Sequence, residues 1–208
     1  MCSGSTARRR TASGSRTKAC RLIAAEDRET ADLIITNGDA AGELLRQTLP
    51  GVEVLPWRDV LHEGPVPQID TLAELTEIRA AYLARRGWGD VSQLHDDLLA
   101  RDKGLAHGAS FERVILWFEH DLYDQLQLLQ LLDWFSGQRR VRDSLLLVQA
   151  PDFLGHQTPE GLLELKQLET PVSADQLGLA REAWTAFRAP TPEPWFLLLQ
   201  HTSNTCLT

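Results

Sequence analysis

Arg113-Val114-Ile115-Leu116-Trp117-Phe118-Glu119-His120-Asp121 is the stretch on which the fold turns. Val114 to Phe118 is an unbroken apolar run with no polar alternation. That pattern predicts a strand buried on both faces, as in a parallel sheet covered by helices on either side. The charged residues that follow it predict an exit from the sheet into a loop and a new helix. Working outward, the same pattern recurs. Leu33-Ile34-Ile35-Thr36 is a β-branched run that stops at Asn37-Gly38-Asp39. Ala40 to Leu49 then reads as a helix, closed by Pro50-Gly51. Val52 to Leu55 predicts a second strand and Ser144 to Val148 a fourth.

Helix signals fill the gaps. Thr71 and Glu74 form a capping box, with Leu75, Ile78 and Tyr82 at helical spacing behind it, so 72–86 is a predicted helix. A weaker helical pattern covers about 90–100. Leu122 to Phe135 is leucine-rich nearly all round, which predicts a helix packed on several sides. Thr158-Pro159-Glu160 reads as an N-cap with proline at N1. Ser173 and Gln176 make another capping box, and Leu177, Ala180, Trp184 and Phe187 share one face behind it. Ala189-Pro190-Thr191-Pro192 interrupts the chain before a last short helix over 193–200. Strands alternating with helices predict an α/β fold: a mostly parallel sheet, helices on both faces and a helical C-terminal third. One domain is expected over 31–200, its helical portion at about 158–200. A disordered basic tail is expected at 1–30 and a polar tail at 201–208.

Composition narrows the function classes. The 208 residues carry a formal charge of −8. Residues 1–21 hold Arg8, Arg9, Arg10, Arg16, Lys18 and Arg21 and no acid, leaving fifteen basic residues against 29 acidic ones elsewhere. Such an acidic body opposes binding to a phosphate backbone, so nucleic acid is an unfavourable partner unless the tail alone provides contact. Cys2, Cys20 and Cys206 lie near the ends of the sequence and predict no disulfide framework, zinc pair or buried cysteine nucleophile. No stretch approaches the roughly 18 apolar residues of a membrane span. A cytoplasmic, soluble protein is the expectation.

Ligands of open parallel sheets bind beyond the carboxyl ends of the strands, and the polar motifs fall there. After the first strand, Asn37-Gly38-Asp39 offers a glycine that lets the backbone approach a ligand and a helix start with free amides for an anion. Asp39 can ligate a metal or a hydroxyl, or cap the helix. Ala40 stands where some hydrolases carry a serine nucleophile, and neither a dinucleotide nor a P-loop fingerprint is present. After the second strand, Trp57-Arg58-Asp59-Val60-Leu61-His62-Glu63-Gly64-Pro65 is denser in functional groups than a connector needs. Arg58 suits a carboxylate or phosphate. His62 suits proton transfer near neutrality, with Glu63 to orient it. The structural alternative is a rigid loop with Trp57 in the core and Arg58 paired to Asp59 or Glu63. After the third strand, Glu119 and Asp121 point one way and His120 the other. Two carboxylates on one side suit a divalent cation such as Mg2+ or Mn2+, with Asp39 as a further ligand, or acid–base work. Asp121 as N-cap and Asp124 at N3 is the structural alternative. His156, beyond the fourth strand, can reach the same rim.

Ile35 to Asp39, Leu55 to Val66 and Leu116 to Leu126 together resemble the bacterial family catalogued as domain of unknown function 1835. Pro171 to Ala174 and Ala183 to Pro190 fit the same pattern, so the resemblance spans roughly 33–198. Members of that family continue past the point where this chain reads Gln200-His201-Thr202-Ser203, which implies an altered or absent C-terminal helical piece. The resemblance implies no assigned activity and therefore no catalytic roles.

Two functions follow as expectations. The first is an enzyme-like pocket for a small anion or nucleotide, with His62, Glu119, His120 and Asp121 as catalytic candidates. Asn37, Gly38, Asp39, Arg58, Asp59, Glu63 and Asp124 are then its binding candidates, and a divalent cation its cofactor. The second is a non-catalytic module whose ligand is a protein partner, met through the 122–135 helix or Trp195-Phe196-Leu197.

Overall fold

A computed structural model describes residues 32–139 and 144–202. The expected basic tail over 1–30, the three cysteines and the tail beyond 202 lie outside them. Four strands run parallel: β1 (Leu33–Asn37), β2 (Glu53–Trp57), β3 (Val114–Phe118) and β4 (Leu145–Gln149). A two-residue strand, β5 (Thr170–Pro171), is antiparallel to β4. The order across the sheet is β2-β1-β3-β4-β5.

The helices are α1 (Gly38–Thr48), α2 (Leu72–Arg85), α3 (Val91–His107), α4 (Leu122–Ser136), α5 (Pro159–Lys166), α6 (Ala174–Phe187) and α7 (Glu193–Thr202). Their distribution follows from the handedness of parallel crossovers. The chain steps from β1 outward to β2, then returns past β1 to β3 and on to β4. Reversing the direction of a right-handed crossover moves its helix to the other face. Accordingly α1 packs on one face through Ala41 and Leu45, with Ile34, Ile115, Trp117 and Val148 beneath it. On the other face Leu105 of α3 and Leu128, Leu131 and Phe135 of α4 cover Leu33, Ile35, Leu116 and Phe118. Successive side chains of each strand thus enter different cores, which is why the strands read as continuous apolar runs. α5 joins the α1 face through Leu162 and Leu165, and α6 lies against α4.

The α/β architecture and helical C-terminal portion are as expected from sequence. Both predicted capping boxes form, at Thr71–Glu74 and Ser173–Gln176. Four details differ. β2 continues through Pro56 to Trp57 where a loop was expected; β2 is an edge strand, where a missing N–H is tolerated. α3 runs to His107, because Leu98 and Leu105 extend the buried face past residue 100. β5 is too short to leave a periodic signal. α7 carries two residues into the segment expected to be a polar tail.

Leu116 is fully buried at the centre of the sheet, whereas Thr71 sits at an exposed helix start. Leu116→Ala should lower unfolding free energy by about 2–5 kcal/mol. Thr71→Ala should cost about 1 kcal/mol. Urea denaturation of the two variants measures the difference.

Candidate functional site

The strand order reverses at β1, between its neighbours β2 and β3. Beyond the carboxyl ends of β1 and β3 lies the crevice in which doubly wound sheets bind ligands. Two strand ends meet there through α4. Asp121 is the N-cap of α4, its Oδ1 accepting from the Asp124 amide at 2.9 Å. Asp124 turns inward and is fully buried. One of its oxygens accepts from the Glu119 amide at 2.6 Å, and the other from Asn37 Nδ2 at the end of β1. Gln127, one turn on, donates to Asn37 Oδ1 at 3.1 Å and to the Asp59 carbonyl at 2.8 Å. The ends of β1, β2 and β3 are thereby tied to one helix.

Glu119, Asp121 and Asp124 each bring a carboxylate oxygen within 4.8 Å of the others. Glu119 Oε1 accepts from the Leu154 amide at 2.6 Å, which adds the turn after β4 to the rim. The second oxygens of Glu119 and Asp121 take no hydrogen bond from the described residues. Burial pushes the Glu119 carboxyl above the ordinary carboxylate range, and the charges of Asp124 and Asp121 add to this; the Leu154 amide and His156 oppose it. Asp124 is raised as well, chiefly by burial, against the stabilising bonds from the Glu119 amide and Asn37. His156 thus comes near the rim, as the sequence allowed.

Of the metal candidates Asp39, Glu119 and Asp121, the structure groups the last two with Asp124. Asp124 completes the cluster, and Asp39 does not. Asp39 is gripped by the Arg58 guanidinium at 2.6–3.0 Å, which holds its carboxyl below the usual range and raises Arg58 in turn. Arg58 therefore pairs across the strand ends with Asp39, rather than with Asp59 or Glu63. Nor does Asp39 cap α1. The N-cap is Asn37, whose side chain is spent on Asp124, and Gly38 takes a left-handed φ of 70° that lets the chain leave the strand directly into the helix.

Asp59 is not a ligand-facing group. Its carboxylate and the Arg79 guanidinium are both 0% exposed. Asp59 Oδ1 accepts from the Val60 amide at 2.7 Å and from Arg79 Nε and Nη2 at 3.0 and 2.8 Å. The remaining Arg79 donors reach the carbonyls of Val60, Glu63 and Pro65. Arg101 approaches the other Asp59 oxygen at 3.7 Å, bonds Asp102, and lies 4.1 Å over the Trp57 ring. Thr76 closes the chain on Asp102. This is the internal frame of the 58–65 loop. Sequence reasoning missed it, although the signal was present: Arg79 interrupts the Leu75–Leu83 stripe of α2, and Arg101-Asp102 the Leu98–Leu105 stripe of α3.

His62, expected among the catalytic groups, is 16% exposed and meets the Tyr123 ring of α4 at 3.9 Å between centroids, tilted by 55°. Its Nε2 is 3.7 Å from Glu63 Oε1, and its buried Nδ1 has no partner among the described residues. It lines a cavity of about 470 Å3 with Gly64, Pro65 and Pro190, and none of the three clustered carboxylates lines that cavity. Glu63 also meets Arg86 and the Tyr82 hydroxyl. His120 is exposed. Compared with models of protein families and with curated proteins, the chain matches none.

Removing one partner of the buried loop frame strands the other charge. Asp59→Ala should therefore cost about 3–5 kcal/mol in urea unfolding. Glu119 yields a pH test. Its folded carboxyl is raised, so the ionised form is disfavoured in the folded state, and stability is lost as pH rises through that raised value. Glu119→Gln keeps the acceptor for Leu154 and cannot ionise. Its stability relative to wild type should grow between pH 4 and pH 7, measured by urea midpoints at both.

Proposed function

We propose that the crevice beyond β1 and β3 binds a divalent cation and, through it, a small anionic metabolite of the nucleotide or sugar-phosphate class. The observation that supports this most is the coincidence of two independent features. The sheet's order reverses at β1, and three carboxylates converge at that strand end. Hard cations such as Mg2+ take carboxylate oxygens and retain waters, so one or two protein ligands suffice. The unengaged oxygens of Glu119 and Asp121 are those ligands. Asp124 is fixed behind them with both oxygens occupied, and it supplies negative charge and rigidity. The start of α1 supplies free amides on the anion's side. Arg58 is a second anion contact, held in reserve by Asp39 until a phosphate or carboxylate competes for it. The three motifs by which the chain resembles the family catalogued as domain of unknown function 1835 are the three that border this crevice, and membership of that family is part of the proposal.

A second reading is a protein-binding module. Phe196, Leu197 and Leu199 of α7 are all more than half exposed, and that observation favours it.

The two separate in a thermal-shift titration with Mg2+ and Mn2+, alone and with a nucleotide and sugar-phosphate panel. A ligand at about 100 times its Kd stabilises by about 2.7 kcal/mol, a midpoint rise of roughly 5–10 °C for a chain of this size. Asp121→Asn leaves the helix cap intact, since asparagine caps as well as aspartate, and removes one metal-binding charge. The rise should vanish in Asp121→Asn and in Glu119→Gln. A cooperative melt that no cation or panel member moves would overturn the first reading.

A further inference from the structure

A second cavity, of about 300 Å3, lies on the α4 face of the sheet, walled by the start of α2 and by α3, α4 and α6. Gln130 stands roughly 13 Å along α4 from Asp121, at 1.5 Å per residue, so this space is separate from the carboxylate crevice. The volume is at the lower end for ligand pockets. Its apolar walls come from Leu72, Leu75, Trp134 and Trp184.

Part of the polar lining is unpaired. Trp57 Nε1 donates to Gln130 Oε1 at 3.0 Å. Indole N–H can only donate, so the orientation of the Gln130 amide is fixed. Gln130 is 4% exposed, and its Nε2 has no partner among the described residues. Arg188 bonds the Ile69 carbonyl at 3.5 Å through Nη2 and lies 5.4 Å over the Trp184 ring, while its buried Nε is unpartnered. The Asp133 carboxylate takes no hydrogen bond from the described residues. Asp133 and Arg188 line the same space yet form no ion pair. Burial raises the Asp133 carboxyl against the fields of Arg188 and Arg181, and lowers Arg188 against the field of Asp133. Asp133 and Arg188, both partly buried and without a close partner, face one half-open space, whose rim also carries the exposed Asp70.

We propose that this cavity binds a free α-amino acid, or a zwitterion of the same size, with an apolar side chain. The carboxylate of such a molecule meets Arg188 and the Gln130 amide. Its ammonium meets Asp133. Its side chain rests on the leucine and tryptophan walls. A mono-anion or mono-cation matches only one of these two partly buried charges and leaves the other without a close partner beside the bound molecule.

The test is calorimetric titration of the full chain, freed of divalent cations, with L-leucine and L-phenylalanine. Isocaproate and isoamylamine, which each lack one of leucine's two charges, are the controls. Saturable binding of at least one amino acid, at least tenfold tighter than either control, is the expected result. Asp133→Asn and Arg188→Gln should each weaken it tenfold or more. If Arg188→Gln fails to melt cooperatively, Asp133→Asn and the wild-type control comparison decide. No binding to wild type, a one-charge control that binds as tightly, or full affinity in a folded Asp133→Asn variant would each overturn the proposal and leave a water-filled cavity.

Discussion

The arrangement of the strand ends depends on one buried ion pair, Asp59 with Arg79. The 58–65 loop has no regular structure to satisfy its own carbonyls. Arg79 does this from α2, spending its planar donor fork on Asp59 and on three loop carbonyls at once. A lysine, with three donors on a point charge, does not reproduce that geometry. Arg101 then locks the same carboxylate to α3 and roofs Trp57. A hydrophobic substitute for such a network is often as stable. What hydrophobic residues cannot supply is register, since only one loop path delivers those carbonyls to the guanidinium. That path sets where Arg58 leaves the loop to meet Asp39, and where His62 comes to rest on Tyr123.

The same constraint explains what the sequence disclosed and what it hid. Val114 to Phe118 announces a doubly covered strand because a continuous apolar run has few other uses. The caps at Thr71, Ser173 and Asp121 were legible because they need only local spacing. The convergence of Asn37, Glu119, Asp121 and Asp124 was legible in outline, because parallel strands put those segments at one end of the sheet. Partner choice was not legible. Asp39 and Asp59 look alike in sequence; one meets Arg58 at the surface and the other vanishes beneath Arg79. That distinction rests on contacts nineteen and twenty residues apart, which no periodicity records.

Helix α4 shows how polar residues inside an apolar pattern carry information. Its leucines fill the core, and a helix made only of them would pack equally well. Asp124, Gln127 and Gln130 break the pattern on buried faces, and each serves a backbone or side chain from another element. Burying three such groups costs free energy unless each is bonded. Asp124 is fully engaged by Asn37 and the Glu119 amide. Gln127 and Gln130 are each satisfied on one side only, leaving Gln127 Oε1 and Gln130 Nε2 without partners among the described residues.

That gradient along one helix has a physical consequence. Where the polar groups are saturated, at the Asp124 end, the backbone of three strands is fixed, and only the outermost carboxylate oxygens of Glu119 and Asp121 remain for exchange with solvent. Further along, Gln130 is held by Trp57 but left half satisfied, and the Asp133 carboxylate takes no hydrogen bond from the described residues. A rigid, saturated end fits a site that must hold a hard cation at set distances. An unsaturated end beside a cavity fits a molecule that brings its own donors and acceptors. Both ends belong to one helix packed on β3, and no side chain lines both spaces, so each end of α4 presents its own chemistry.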